Sequence, residues 1–430
     1  TQTLFPCSFE TAGSHVIQVQ ANVSDSILTD NQFAAALTIW DEIKVLLVDG
    51  APSSQALQGE TDFLSVALTP YSFARVTLSD LVRTQTVTSD KIKPELLADF
   101  RVVVLANVPR LKDDQVDALR SFVEEDGALL VFAGSGIDTK WYNDKLFASG
   151  NGLLPAEFGV PKGKIDDKGQ SARIVAQHFD HPSLEFFNEA SNGDLSTAEI
   201  RQWYELKPTT PEAVVVARLD NGDPLLVERA FGDGVVMQVA TACDADWSDL
   251  PMRPFFVPMM QQLVTTLATQ LTPPRNIRTG EPAVALFTDA ASTQPDETAY
   301  EQNAPLLSIV TPEGARQTIR SVPQGKRLTA RFEGTRRPGV YTMTTPDSQS
   351  FHFVASTSRE ESNLDVLDEL KLKSLADGLS AKVAVSPEEY LAQDYLRRHG
   401  REIWRYVLLG LLAFMFLELV LQQRFSRVRT

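Results

Sequence analysis

Ser135 is the residue of this sequence that is best placed to act as a nucleophile. It lies in the turn Gly134-Ser-Gly136, directly after the apolar run Ala128–Phe132, and His178 or His181 could serve as its base. A serine needs such a base, oriented by a third group, to attack a carbonyl at neutral pH. The turn lacks the spacing of a G-x-S-x-G nucleophile elbow. We therefore interpret Ser135 as a solvent-facing turn residue and keep a serine hydrolase as the alternative.

Cys243 is a second candidate nucleophile. It follows the apolar run Val235–Ala240 and precedes Asp244 and Asp246. The thiolate is the reactive form of cysteine, and neighbouring negative charge raises the pKa of a thiol. The pattern therefore predicts a small buried residue at a strand end. The only other cysteine is Cys7, so neither a zinc site nor a disulfide framework is indicated.

Asp244, Asp246 and Asp249 form an acidic cluster around Trp247. Hard cations prefer clustered carboxylates, so these three residues could bind a metal. The same residues also suit a loop that precedes a helix, and Asp249 could cap a helix that begins near Pro251 or Pro254. We favour the structural interpretation and predict no metal and no cofactor.

Two loops are candidates for ligand binding. Gly50 and Ser53 follow one apolar run, and Gly134 and Ser135 follow another. In open sheets of parallel strands, ligands bind at the edge where the carboxyl ends of the strands lie. A ligand-sensing module would therefore have a concave apolar pocket between these loops, for a ligand that the sequence leaves unknown.

The elements that position these residues alternate between short apolar runs and helical stretches. This alternation is typical of parallel strands that are buried on both faces. We therefore predict an α/β domain with a flavodoxin-like sheet over residues 43–271. Its expected elements are strands at Val45–Val48, Phe73–Leu78, Arg101–Leu105, Ala128–Phe132, Ala213–Ala217 and Val235–Ala240, helices at Leu57–Leu68, Lys112–Glu125 and Pro254–Leu271, and a long cover over 150–210.

Residues on both sides of this domain alternate between apolar and polar types, as strands do. Residues 1–42 resemble the C-terminal strands of a truncated β-sandwich, which predicts that the natural protein extends further upstream. Residues 275–356 contain the turns Pro312-Glu-Gly314 and Pro338-Gly339 and predict a second β-sandwich.

The last apolar run predicts a transmembrane helix over residues 404–422, in contact with a lipid bilayer. The run Tyr406–Leu421, which includes Glu418, gives only about 24 Å of helix, so Trp404 and flanking arginines must extend it. Residues 360–400 predict a juxtamembrane helical segment and 423–430 a basic tail. The apolar residues of that segment that are available for docking are Leu364, Leu367, Leu370 and Leu375.

The charge balance excludes one class of partner. The chain has 40 basic and 56 acidic residues, a net charge of −16, yet the tail from Arg397 holds seven arginines and two acids. Nucleic-acid binding needs clustered Lys and Arg, which the acidic body lacks. We therefore expect no nucleic-acid partner.

The order of several short phrases resembles the bacterial Bat-type membrane proteins. In that family a von Willebrand A domain, an adhesion-like β-sandwich and a class I glutamine amidotransferase-like domain precede a terminal transmembrane helix. The matching phrases, spread over almost the whole chain, are Leu28-Thr-Asp-Asn31, Val45-Leu-Leu-Val-Asp-Gly50, Asp126-Gly-Ala-Leu-Leu-Val-Phe132, Asp244-Ala-Asp-Trp-Ser-Asp-Leu-Pro251 and Glu361-Ser-Asn-Leu364.

The resemblance implies that the von Willebrand A domain is missing from this chain and that the amidotransferase-like domain is degenerate. Ser135 stands where class I amidotransferases place their cysteine nucleophile, and His178-Phe-Asp180 is the nearest approach to their His-x-Glu pair. The family also implies a single-pass protein of the bacterial cytoplasmic membrane, with its bulk on the extracytoplasmic side and other envelope proteins as partners.

These observations favour a non-enzymatic scaffold or interaction protein of the bacterial envelope. A hydrolase that uses Ser135 and a ligand-sensing module are the two alternatives. The hydrolase requires His178 or His181 within hydrogen-bonding distance of Ser135.

Overall fold

The computed structural model describes residues 5–23, 31–73, 79–165, 171–175, 178–270, 272–287, 304–324, 327–357, 369–384, 386–400 and 403–426. The chain forms two compact units, Thr1–Ser358 and Arg359–Thr430. The first unit has mixed α/β architecture with several sheets, as the sequence predicts.

A seven-stranded, mostly parallel sheet is the centre of the first unit. Its strands are β3 (Ile43–Asp49), β4 (Val82–Thr88), β5 (Val102–Ala106), β6 (Ala128–Phe132), β11 (Val214–Arg218), β12 (Pro224–Phe231) and β13 (Gly234–Val239). Their order is β11-β12-β13-β6-β5-β3-β4. The strands from β13 to β4 are parallel, whereas β12 is antiparallel to both of its neighbours. The carboxyl ends of β3, β5, β6 and β13 therefore meet at one edge.

The helices beside this sheet follow the apolar periodicity of the sequence. They are α1 (Asp62–Leu68), α2 (Pro70–Phe73), α3 (Pro94–Leu97), α4 (Asp113–Glu124), α5 (Thr139–Trp141), α6 (Pro182–Glu185) and α7 (Phe256–Thr269). In α4, Val116, Leu119 and Val123 form the buried face. The Gln115 side chain accepts the N–H of Lys112 at 3.0 Å, which caps the start of α4.

Three expected elements differ from the observed ones. The helix expected over Leu57–Leu68 begins only at Asp62, because Leu57 has a φ of +62° that breaks the helical path. The strand expected at Phe73–Leu78 is wrong at Phe73, which ends α2, and its other residues lie outside the described range. The chain returns to the sheet at β4. This strand contains exposed polar residues and therefore has no apolar run in the sequence.

The cover over residues 150–210 contains two small antiparallel sheets. One pairs β7 (Glu157–Gly163) with β10 (Gln202–Lys207), and the other pairs β8 (Ala172–Arg173) with β9 (Glu199–Ile200). A π-helical turn at Tyr142–Phe147 precedes the cover, and 3-10 turns lie at 148–150, 186–188, 190–192 and 195–197. Further 3-10 turns lie at 89–91 and 250–252.

Two further sheets enclose a separate hydrophobic core. Their strands are β14 (Asn276–Arg278), β15 (Ala283–Phe287), β16 (Leu306–Val310), β17 (Arg316–Arg320), β18 (Val322–Gln324), β19 (Arg327–Phe332), β20 (Gly339–Thr344) and β21 (Ser350–Ser356). One sheet has the order β14-β21-β20-β16-β17 and the other β15-β19-β18.

Polar contacts join these parts within the first unit. The N-terminal hairpin of β1 (Gly13–Gln20) and β2 (Gln32–Ile39) lies beside β21. The Asn276 side chain accepts the N–H of Ala36 at 2.8 Å and donates to its carbonyl at 2.9 Å. At the start of β6, the buried carboxylate of Asp126 pairs with both Arg101 and Arg327, which ties the large sheet to β19.

The second unit contains α8 (Glu369–Gly378), α9 (Pro387–His399) and α10 (Trp404–Ser426). The expected docking residues Leu364 and Leu367 lie outside the described range, whereas Leu370 and Leu375 of α8 are exposed. In α10, the stretch Trp404–Arg424 has 21 residues, and its most apolar window of 18 residues has a mean hydropathy of 1.9 and no buried residue. Its length is about 31 Å, enough for the ~30 Å hydrocarbon core of a bilayer.

Candidate functional site

Polar side chains gather where the parallel strands β3, β5, β6 and β13 end. Asp49 is the last residue of β3, and Asn107 follows β5 directly. Gly134 comes two residues after β6, and Cys243 follows β13. Glu60, from the loop between β3 and α1, joins this strand-end cluster.

Asn107 connects three of these segments. Its Nδ2 group donates a hydrogen bond to Oε1 of Glu60, and its Oδ1 atom accepts the N–H of Gly136 at 2.7 Å. The residue is buried and has a φ of +49°, a left-handed conformation that asparagine tolerates better than most residues. Asn107 therefore fixes the turn after β6 against the loop that carries Glu60.

Two glycines allow this close approach. A Cβ atom on Gly50 would lie 2.0 Å from the carbonyl oxygen of Asn107. A Cβ atom on Gly134 would lie 2.3 Å from Cγ of the same asparagine. The candidate ligand loops at 50–53 and 134–136 thus pack against Asn107 and contribute backbone to the cluster.

Glu60 has the most unusual carboxyl group of the cluster. The residue is only 7% exposed, and its Oε2 atom is buried without a hydrogen-bond partner among the described residues. Burial raises the pKa of Glu60 most strongly, the Asn107 hydrogen bond lowers it, and the negative charges of Asp244, Asp49 and Asp246 raise it again. The net result of these effects is a pKa of about 7. Glu60 is therefore a carboxyl group that can hold or release a proton near neutral pH.

Asp49 is as buried as Glu60, but both of its carboxylate oxygens accept hydrogen bonds from the neighbouring loop. One carboxylate oxygen accepts the N–H of Ala51 at 3.0 Å. The other accepts the hydroxyl of Thr61 at 2.8 Å and its N–H at 3.3 Å. Both ends of the 51–61 loop are thereby fastened to the end of β3. Ser53 lies in the exposed part of this loop, where its hydroxyl accepts the N–H of Gln55 at 3.1 Å.

Ser135 is exposed, and the described polar contacts of His178 and His181 go to other residues. His178 is 70% exposed and lies 3.4 Å from Asp180. His181 caps α6 because its Nδ1 atom accepts the N–H of Ser183 at 3.3 Å, and the same atom lies 2.7 Å from the Ser183 hydroxyl. Its Nε2 atom lies 3.3 Å from Glu228 of β12. The two histidines thus make their described polar contacts with their own neighbours, and none of these contacts involves Ser135.

Cys243 lies inside the cluster and is almost fully buried. Its thiol donates to the carbonyl oxygen of Glu60 at 3.0 Å. Burial raises the pKa of this thiol well above its ordinary value, and the charges of Glu60, Asp244 and Asp49 act in the same direction. A neutral, enclosed thiol is a poor nucleophile. The contribution of Cys243 is its hydrogen bond to the Glu60 carbonyl oxygen.

The three clustered aspartates have separate surroundings. Asp244 is buried and accepts the N–H of Asp246 at 3.1 Å, whereas Asp246 is exposed. Asp249 accepts the N–H of Glu199 at 2.7 Å and pairs with Arg253. Asp249 stands at the N-cap position of the 3-10 turn at 250–252, as expected, but its carboxylate bonds to Glu199 and Arg253 and makes no cap hydrogen bond to that turn. No group of His, Cys, Asp and Glu in the described ranges has a geometry suited to a metal ion.

The strand-end cluster can hold a proton and can accept a hydrogen bond through Glu60. Its side chains are polar, whereas the sequence predicted an apolar pocket at these loops. Sequence reasoning found the loops but missed Glu60 and Asn107. Asn107 could have been found, because it directly follows a buried run of five apolar residues at the ligand-binding edge. Glu60 gives no such signal, since it follows an exposed loop of mixed composition.

Comparisons with known proteins do not assign this chain to a family. No protein-family model and no curated protein matches the chain. A cytoplasmic protein from Salmonella typhimurium LT2 is 14% identical with a TM-score of 0.38, over 59% of this chain and 96% of that one. A ThuA-like protein from Bacteroides uniformis is 14% identical with a TM-score of 0.33, over 53% and 90%. A GMP synthase subunit from Thermoplasma acidophilum is 10% identical with a TM-score of 0.34, over 53% and 96%. These TM-scores are too low for the likenesses to support a shared function.

Proposed function

We propose that this chain is a non-enzymatic scaffold or interaction protein, anchored in a membrane by α10. The observation that carries the non-enzymatic part is that Ser135 is exposed, while the described polar contacts of His178 and His181 go to Asp180, Ser183 and Glu228. A serine hydroxyl without a positioned base is a weak nucleophile at neutral pH.

The anchoring part rests on the composition and exposure of α10. Its apolar side chains have no protein surface that covers them within the described part of the second unit, and water is an unfavourable environment for so many of them. Trp404 and Tyr406 lie at one end, where aromatic side chains favour the membrane interface. A bilayer is the surrounding that suits such a helix.

The α/β domain is proposed to be flavodoxin-like and related to class I glutamine amidotransferases in degenerate form. In chain order, its five parallel strands have the spatial order 2-1-3-4-5, the arrangement of flavodoxin-like sheets. The turn after β6 carries Ser135 where those amidotransferases have cysteine. Together with the order of sequence phrases, this supports a Bat-type protein of the bacterial cytoplasmic membrane with envelope proteins as partners.

Labelling with an electrophilic serine probe tests the non-enzymatic part. The full chain in detergent micelles is treated with a fluorophosphonate probe, beside the variant Ser135→Ala and the matched variant Ser53→Ala, which alters another exposed loop serine. We expect no labelling that depends on Ser135. Stoichiometric labelling that Ser135→Ala abolishes and Ser53→Ala preserves would establish the hydrolase instead.

Ligand sensing is a second candidate function, favoured by one observation. The buried Oε2 atom of Glu60 has no partner among the described residues, at the edge of the sheet where ligands of such folds bind. A ligand that donates a hydrogen bond to this atom would satisfy it. Such a ligand would shift the protonation of Glu60, so its affinity would change with pH across the neutral range.

A further inference from the structure

Helix α9 exposes apolar side chains immediately before the proposed membrane anchor. Tyr390, Leu391, Tyr395 and Leu396 are between 51% and 63% exposed. Leu391 and Tyr395 are four residues apart and therefore share one face of the helix. Gln393 lies two residues from each of them and points to another side. Tyr390 and Leu396 lie three residues before and after Gln393 and are therefore on other sides of the helix, so the apolar face consists of Leu391 and Tyr395.

The chain connection limits what can cover this face. α9 ends at His399 and α10 begins at Trp404, so only residues 400–403 separate them. Four residues span at most about 14 Å when extended. The polar interface of a bilayer is roughly 5 to 8 Å deep on each side of the hydrocarbon core. If α10 crosses the membrane, the end of α9 must therefore lie at or near the interface.

The basic charges of α9 lie at its C-terminal end, next to α10, whereas Glu388 and Glu389 lie in its first turn. Arg397 and Arg398 are 78% and 67% exposed, and both pair with the single carboxylate of Asp394, at 3.1 Å and 2.8 Å. One carboxylate neutralises only one of the two guanidinium charges. The Arg405 guanidinium lies 5.7 Å from the centre of the Trp404 ring, which adds another cation at the start of α10.

We propose that α9 lies in the interface of an anionic bilayer, with Leu391 and Tyr395 toward the acyl chains and Arg397 and Arg398 among the headgroups. This inference rests on the proposed membrane anchor. It adds a second contact between the protein and the lipid, which holds the segment next to α10 parallel to the membrane surface. The partner is thus defined by its chemistry, as a phospholipid surface that carries negative charge.

Site-specific fluorescence tests the inference on the full chain. A Cys7→Ser background removes the exposed native cysteine, whereas Cys243 is buried and stays. Single cysteines are introduced as Leu391→Cys on the apolar face, Gln393→Cys on another face of α9, and Leu412→Cys in α10, and each is labelled with the environment-sensitive dye NBD. The proteins are reconstituted into vesicles of phosphatidylcholine, alone or mixed with phosphatidylglycerol, that contain nitroxide-labelled lipids as quenchers.

We expect the dye at position 391 to shift its emission to shorter wavelength and to be quenched by the nitroxide lipids, more strongly in the anionic vesicles. The dye at position 393 should keep its aqueous emission. The double change Arg397→Gln and Arg398→Gln should remove the preference for anionic vesicles.

Two results would overturn the inference while the anchor stands. The first is a dye at position 412 that is quenched, with positions 391 and 393 equally aqueous. The second is a blue shift at position 391 without lipid quenching, because a second protein copy would then cover the face. Absence of quenching at position 412 would instead overturn both the inference and the proposed anchor.

Discussion

At the scale of single residues, the Glu60 carboxyl group has the clearest physical consequence. Burial and nearby negative charge raise its pKa from the ordinary 4.5 to about 7. Between these two values the folded chain keeps a proton that the unfolded chain has lost. Folding is therefore favoured at the acidic end of this window, and the contribution of Glu60 to stability falls as the pH rises from 4.5 toward 7.

Replacement of Glu60 by glutamine should remove this pH dependence. The amide resembles the protonated carboxyl group and keeps an oxygen that can accept from Asn107. At pH 8 the variant should be the more stable protein, by up to about 3 kcal/mol. Thermal unfolding midpoints of the full chain in detergent micelles, at pH 5 and pH 8, provide the measurement.

Asp194→Asn is a suitable control, because Asp194 is a surface carboxylate whose pKa is lowered by its hydrogen bonds to Ser196. The Asp194→Asn variant should lose as much stability between pH 5 and pH 8 as the unchanged chain does. If Glu60→Gln and the unchanged chain respond to pH in the same way, the proton on Glu60 is not coupled to folding.

The sequence specified some of this cluster but not its chemistry. It placed Gly50, Gly134 and Ser135 at strand ends, because apolar runs mark buried strands. It paired Ser135 with histidines that the fold directs elsewhere, since separation along the chain does not define separation in space. The pKa of Glu60 depends on burial by tertiary packing, which no local pattern records.

At the scale of elements, the approach of β3 to the chain after β5 depends on Gly50. Its N–H donates to the carbonyl of Ala106 at 2.9 Å, and the position of a Cβ atom is already occupied by Asn107 backbone. Backbone atoms of two hydrogen-bonded strand ends cannot move apart without loss of those bonds.

Gly50→Ala should therefore destabilise the first unit by about 3 kcal/mol. Gly378→Ala in α8 is the matched control, because nothing lies within 4 Å of its added Cβ atom. The control should leave the unfolding transition of the first unit unchanged. Thermal unfolding followed by tryptophan fluorescence separates the two cases, and an unaffected Gly50→Ala variant would contradict the described approach.

Strands were predictable from the sequence where they consist of a short apolar run that is buried in the sheet. β3, β5 and β6 appear in the sequence as apolar runs and in the structure as buried strands. β4 lies at the sheet edge and carries exposed polar residues, so it gave no such signal. β12 includes Glu228 and Arg229, whose buried charged groups interrupt the expected apolar pattern.

At the scale of the whole molecule, a folded acidic body is joined to one long apolar helix. The apolar run Tyr406–Leu421 is shorter than the helix, because residues such as Arg405 and Gln422 continue the helix at both ends. Glu418 lies within it, and its Oε1 atom is 3.5 Å from the Gln422 side-chain nitrogen. The helix therefore reaches the length of a membrane span, which the sixteen-residue run alone did not.

Alkaline carbonate extraction of membranes tests the proposed anchor most directly. The full chain is expressed in bacteria and compared with the double variant Leu412→Arg and Met415→Arg, which places two charges near the middle of α10. These charges should disfavour insertion by about 6 kcal/mol. Gln393→Arg in α9 is the control for added charge outside the helix.

The full chain and the Gln393→Arg control should stay in the membrane pellet, and the double variant should move to the supernatant. Release of the unchanged full chain into the carbonate supernatant would contradict a membrane-anchored scaffold and would require a protein surface that covers α10.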